Sequence, residues 1–235
     1  MIVDNGSKEC EPIDMENAVG LDVGLEHYIV DSDGNEIENP RYLKQALKKL
    51  RREQSRLSKK QKGSNNYNKQ RIKVARHHER VQNQRNDFQH KVSRAYVNNY
   101  DLIVTEKIWP GSMVNDHRLA RSISDAAWSG LNQKLAYKAE RAGKLHIQVD
   151  PRGTTQQCSG CGNLVPKSLS DRWHDCPYCG PHLSRDYNAS INILKRGIEK
   201  VRSERPELAC GHWTATPPSM VVQARWMKQE APIGG

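Results

Sequence analysis

Polar positions dominate as far as Asn17, and residues 1–17 read as a disordered leader. The pattern changes at Ala18. The run AVGLDVGL, residues 18–25, is apolar and β-compatible except for Asp22. Tyr28, Ile29 and Val30 make a second short run, Asp33-Gly34-Asn35 supplies hairpin-turn chemistry, and Glu36-Ile37 begins a third. This predicts an antiparallel meander of three strands, ended by Pro40. Leu43, Leu47, Leu50 and Leu57 recur near helical spacing and predict a helix over 41–62, closed by the breaker Lys62-Gly63-Ser64-Asn65-Asn66. A second helix, from about Tyr67 to Asn99, carries a sparse stripe of Ile72, Val81, Phe88, Val92 and Tyr96, so the two make a helical hairpin. A buried-type strand over 101–106 follows, then a loop through Met113. Ala126, Ala127, Leu131, Leu135 and Ala139 mark the inner face of a helix over 122–143, before a strand at Leu145–Val149 and a last helix from Asn188 to Val201. A cysteine-bearing insert, 153–182, interrupts this order, and the tail 204–235 reads as irregular. The succession β-β-β, helices, β, α, β, insert, α predicts an α/β, RNase H-like fold: a mixed sheet with flanking helices.

Charge adds a functional dimension. Between Arg41 and Asn99 there are 18 Lys or Arg and 3 acids, a net +15, whereas the rest of the chain carries −5. A solvated helical face is the ordinary meaning of a charge run, but an excess of one sign this large points to a polyanion. The candidate contacts are Lys48, Lys49, Arg51, Arg52, Arg56, Lys59 and Lys60, and the expected partner is a nucleic acid. With 36% hydrophobic residues, 27% charged residues and no apolar run of eighteen, no membrane span is expected, and the default compartment is the cytoplasm.

Six cysteines are present, four of them in two CxxC pairs: Cys158 and Cys161, then Cys176 and Cys179, with fourteen residues between the pairs. Each pair can hook two thiolates onto one tetrahedral ion, and Gly160, Gly162, Pro177 and Gly180 supply the turns of two knuckles. The spacing predicts a closed, structural Zn²⁺ site in preference to two disulfides or a redox dithiol. Cys10 and Cys210 stand alone and read as bystanders.

Three acids fall where an RNase H-like site needs them. Asp22 interrupts the first apolar strand, Glu106 ends the strand Leu102–Thr105, and Asp186 begins the last helix. Converging carboxylates of this kind hold Mg²⁺ or Mn²⁺ for phosphodiester hydrolysis. Each also has a plain alternative: a strand-end aspartate, an exposed strand terminus and a helix N-cap.

With these residues in view, the chain resembles the TnpB (OrfB) family. GLDVGL around Asp22 looks like the first RuvC motif of that family, the strand ending in Glu106 like the second, and CSGCG…CPYCG followed by SRDYNASINIL like its zinc ribbon running into the third. The resemblance covers about residues 18–200 and makes 18–152 with 183–203 a RuvC-like nuclease domain, 41–99 its basic helical insert and 153–182 a zinc ribbon. It implies a metal-dependent DNA endonuclease of an insertion sequence, related to type V CRISPR effectors, guided by RNA in its full-length form and nucleoid-associated in a prokaryotic cytoplasm. Two features depart from the family. Only about twenty residues precede Asp22, so a truncated form is expected, and the alternative is a catalytically silent nucleic-acid-binding fragment. Position 184 is Ser where the family often has Asp; the catalytic position matches Asp186. Oligomeric state is not legible.

Overall fold

The computed structural model describes residues 13–108, 120–168, 170–204 and 209–210. Its five-stranded mixed sheet has the order β4-β3-β2-β5-β6. Strands β2 (Ala18–Asp22), β3 (His27–Asp31) and β4 (Glu36–Glu38) form the expected antiparallel meander. Its turn is held by Asp31, whose Oδ1 accepts the backbone N–H of Asp33 and Asn35 at 3.0 and 2.8 Å. Strands β5 (Leu102–Glu106) and β6 (Leu145–Val149) extend the sheet in parallel with β2.

Side chains alternate across a strand, so each strand feeds two cores. Val19 and Leu21 of β2 and Ile103 of β5 pack with Val92, Tyr96 and Val97 of helix α2 (Asn65–Asn99) and Leu131, Leu135 and Ala139 of helix α4 (Trp128–Arg141). Ala18, Leu102 and Val104 point the other way, onto Ile193, Leu194, Ile198 and Val201 of helix α5 (Arg185–Glu204). Each such Leu or Ile contributes about 1.5–3 kcal/mol on burial. Two glycines let α5 lie directly on the sheet. A Cβ at Gly20 would stand 2.6 Å from Leu194 N, and one at Gly197 2.6 Å from Val104 Cγ1.

Helices α1 (Tyr42–Ser58) and α2 form the basic hairpin. It is pinned by buried Glu53, which accepts from Gln70 Nε2 and Arg56 Nη1, both at 2.9 Å. Arg41, at the start of α1, is left-handed (φ 50°) and offers no side-chain cap. The N-terminal amides still need acceptors, and Asp125 of helix α3 (Ala120–Ala126) supplies them from 82 residues away. It accepts from Leu43 N at 3.0 Å and Lys44 N at 3.4 Å, while Arg85 binds it at 3.0 Å. Among the described residues, no helix is long and apolar enough to cross a membrane.

Several expectations are corrected. Residues 13–17 do not belong to a disordered leader: Ile13–Asp14 is strand β1, and Met15 is fully buried in the α5-side core. β1 pairs in parallel with β9 (Ala209–Cys210), inside the tail expected to be irregular. The rest of that tail from 211, and residues 1–12 with Cys10, lie outside the described residues, as does most of the loop expected through Met113. The helix expected over 122–143 breaks at Ala127 (φ 51°), which is a hinge and not an inner-face residue. Ile72, expected on the apolar stripe of the second helix, is instead 47% exposed. The last helix starts at Arg185, three residues earlier than its apolar pattern predicts.

Candidate functional site

The four paired cysteines come together, and their ligand atoms all lie within 4.8 Å of one another. Sγ–Sγ separations are 3.5 Å for Cys158–Cys179 and 3.6 Å for both Cys161–Cys176 and Cys176–Cys179. Those are far beyond a disulfide bond of about 2.05 Å. They approach the edge of about 3.8 Å for a tetrahedron of sulfurs around an ion with bonds of about 2.3 Å. The thiols could therefore hold a metal ion such as zinc. The two knuckles are built alike: Gly162 N donates to Cys158 O and Gly180 N to Cys176 O, each at 2.9 Å, with φ at +78° and +83°. Such left-handed turns favour glycine. The Asn163 backbone amide, helped by Cys179, pulls the Cys161 thiol down to about 6, while its bond with Cys161 pushes Cys179 up. The ribbon continues as a hairpin of β7 (Trp173–Asp175) and β8 (His182–Ser184).

The three acids fall on one side of the sheet, for a reason that lies in strand register. Leu21 of β2 is level with Thr105 of β5, and Asp22 and Glu106 are the next residues of those strands. Alternation puts Asp22 on the face of Ala18 and Gly20, and Glu106 on the face of Leu102 and Val104. That is the face on which α5 lies, and Asp186 is in the first turn of α5. The Asp22 carboxyl is held well above the usual carboxylate range by burial, then by Glu106 and then by Asp186, with Arg185 opposing. Glu106 is also pushed up, by burial first, against the Thr154 hydroxyl and Arg196. A carboxyl whose proton affinity is raised by two neighbouring carboxylates belongs to a hard-oxygen cluster that a divalent cation would relieve. Their oxygens are less tightly gathered than the thiols: among the described residues, only the cysteines offer three or more ligand atoms within 4.8 Å.

The plain alternatives for the acids can be set against this geometry. Capping of α5 falls to Ser184, whose Oγ accepts Tyr187 N–H at 3.2 Å, so Asp186 is not needed as a cap. Glu106 is no free strand terminus: Thr154 Oγ1 donates to its Oε1 at 2.5 Å. Thr154 was not predicted from the sequence, since a lone threonine carries no periodic or spacing signal. Lys48, Lys49, Arg51, Arg52, Arg56, Lys59 and Lys60 are all exposed. Arg52 and Arg56 are partly committed to Glu53, at 3.4 and 2.9 Å. Trp128 is core, 4% exposed, whereas Trp173 stacks on His182 (centroids 4.6 Å apart) and remains 55% exposed.

Comparison with known proteins gives two family matches: OrfB_IS605, described as "Probable transposase", over residues 7–116, and "Cas12f1-like, TNB domain" over residues 128–193. A candidate RNA-guided DNA endonuclease of Streptomyces pristinaespiralis is 37% identical over 77% of this chain and 45% of its own length. InsQ of Escherichia coli strain K12, also a candidate RNA-guided DNA endonuclease, is 35% identical over 90% of this chain and 53% of its own. The chain thus spans about half the length of the curated relatives it matches. In fold it is similar to the protein of a CRISPR-Cas12f ternary complex, with TM-score 0.56 and 20% identity over 81% of this chain and 40% of that one. It is likewise similar to Cas12f1 in a complex with sgRNA and target DNA, with TM-score 0.52 and 19% identity over 80% and 51%.

Proposed function

The chain belongs to the OrfB/TnpB family, and on that footing we propose that it is the RNase H-like, RuvC-type nuclease portion of an RNA-guided DNA endonuclease from an insertion sequence. The observation that supports this reading is that Asp22 and Glu106 end neighbouring strands on the face that α5 covers, and that Glu106 and Asp186 both raise the proton affinity of the Asp22 carboxyl. In it, those three carboxylates hold Mg²⁺ or Mn²⁺, which when bound supply an activated water and charge stabilisation at the phosphodiester. Hydrolysis adds water across the P–O bond and frees a 3′ hydroxyl. The chain's own part is to gather the three carboxylates and hold Glu106 through Thr154. Cys158, Cys161, Cys176 and Cys179 hold one structural Zn²⁺ with no open position. The exposed cations of α1 and of the turn after it, chiefly Lys48, Lys49, Arg51, Lys59 and Lys60, hold nucleic-acid phosphates, which contribute affinity but no sequence information. DNA and a guide RNA are the partners of this reading.

The test is cleavage of single-stranded DNA in Mg²⁺, with and without guide RNA. Asp22→Ala and Asp186→Ala should each bring cleavage to the level seen in EDTA, while nucleic-acid binding stays within about twofold, because the hairpin supplies it. Equal cleavage by wild type and Asp22→Ala would refute the assignment. Metal binding with no cleavage under any condition would leave a nucleic-acid-binding protein that does not cut.

A further inference from the structure

We propose that Thr154 is a positioning residue for Glu106, anchoring that carboxylate to the same helix that carries Asp186. The inference rests on the reading of Asp22, Glu106 and Asp186 as a divalent-cation site. Thr154 is 1% exposed, and its hydroxyl donates to Glu106 Oε1 at 2.5 Å. The bond fixes Oε1, one of the two carboxylate oxygens. A glutamate at a strand end otherwise has three side-chain torsions to order; a bond to a buried donor removes much of that freedom in advance.

Thr154 is itself held from α5. Asn192 Nδ2 donates to Thr154 O at 2.8 Å and to Gln157 O at 2.6 Å. Arg196 donates to Asp150 O at 2.9 Å, Arg152 O at 2.8 Å and Gln157 Oε1 at 3.1 Å. Asn188 donates to Gln157 O at 2.8 Å and accepts from Ser159 N at 2.9 Å. Asn188, Asn192 and Arg196 recur every four residues and so form one stripe of α5. That stripe grips residues 150–159 from the end of β6 to the first knuckle. The first turn of the same helix presents Asp186. Two of the three carboxylates are therefore referenced to a single rigid element, and Thr154 is the link for the one that comes from the sheet. A purely structural threonine would also make the second contact seen here, Oγ1 to Pro151 O at 3.0 Å, so the test must separate the two roles.

Zinc-loaded full-length chain is titrated calorimetrically with Mn²⁺ alone. Thr154→Val, close in shape but without the hydroxyl, should weaken Mn²⁺ binding about tenfold or more, as loss of a group that orients a metal ligand typically does. Thr154→Ser should restore binding to within about threefold. In a Glu106→Gln background the valine change should have no further effect, because the role runs through that carboxylate. Zinc content and melting temperature report folding of each variant; if the valine variant loses zinc, Thr154→Ala is read in its place. Wild-type affinity in Thr154→Val, or an equal loss with and without the Glu106 carboxylate, overturns the proposal alone. Failure of the wild-type chain to bind Mn²⁺ at all overturns the cation-site reading and the proposal with it.

Discussion

Fourteen residues separate the two cysteine pairs, whereas 83 and then 79 residues separate the three acids. The thiols are brought together by two short turns of the same design, each closed by one backbone hydrogen bond, and they end 3.5–3.6 Å apart. The acids arrive from two strands and a helix, and their closeness depends on sheet register and on how near α5 comes to β2. The first arrangement is local, and on the proposed reading an ion closes a small hairpin with little core of its own. On the same reading the second is global: its carboxylates repel, and the two packed cores around the sheet hold them in place. A centre of the first kind should fail with its ligands, and one of the second kind with its packing.

Cys176→Ser is the severest way to break this contrast. Structural zinc supplies on the order of 10 kcal/mol of local folding free energy, so the variant should lose its zinc and expose 153–182 to protease while the sheet persists. Elemental analysis with limited proteolysis reads both, and a ribbon that stays protected without zinc would contradict the local picture. Gly20→Ala attacks the other centre without touching an acid. The added methyl meets the α5 backbone at Ser190 and Leu194. Overpacking of this kind costs about 1–3 kcal/mol, so chemical denaturation should shift to lower denaturant and Mn²⁺ binding should weaken while zinc content stays at wild type. Unchanged stability would mean that α5 does not ride as close to β2 as described.

The smallest effect concerns His146, beside Glu106's strand, which shares a 3.0 Å hydrogen bond with Thr105 Oγ1 and is held down to about 4 by burial. Its ordinary value is 6.5, so between 6.5 and 4 the unfolded chain binds the proton that the folded chain refuses. The stability it contributes is therefore full above pH 6.5 and is lost as pH falls toward 4. His146→Gln should flatten that part of the stability–pH curve; an identical slope in both proteins would remove His146 from the account.

The sequence by itself determined the meander, the parallel strands, the two long basic helices and both knuckles, because period-two and period-3.6 patterns, turn residues and CxxC spacing act over a few neighbours. It also singled out Asp22, as an acid in an apolar strand, and Glu106 and Asp186 through their order and placement alongside it. What only the tertiary structure decided were contacts between elements far apart in the chain. Asp125 caps α1 from 82 residues away, Ile13 and Met15 turn an acidic leader into core, Gly20 admits α5 to the sheet, and Thr154 reaches Glu106 across 48 residues. None of these leaves a periodic trace, because a single hydrogen bond or a single missing methyl depends on which surfaces meet, and that is settled only when the cores on both faces of the sheet have closed.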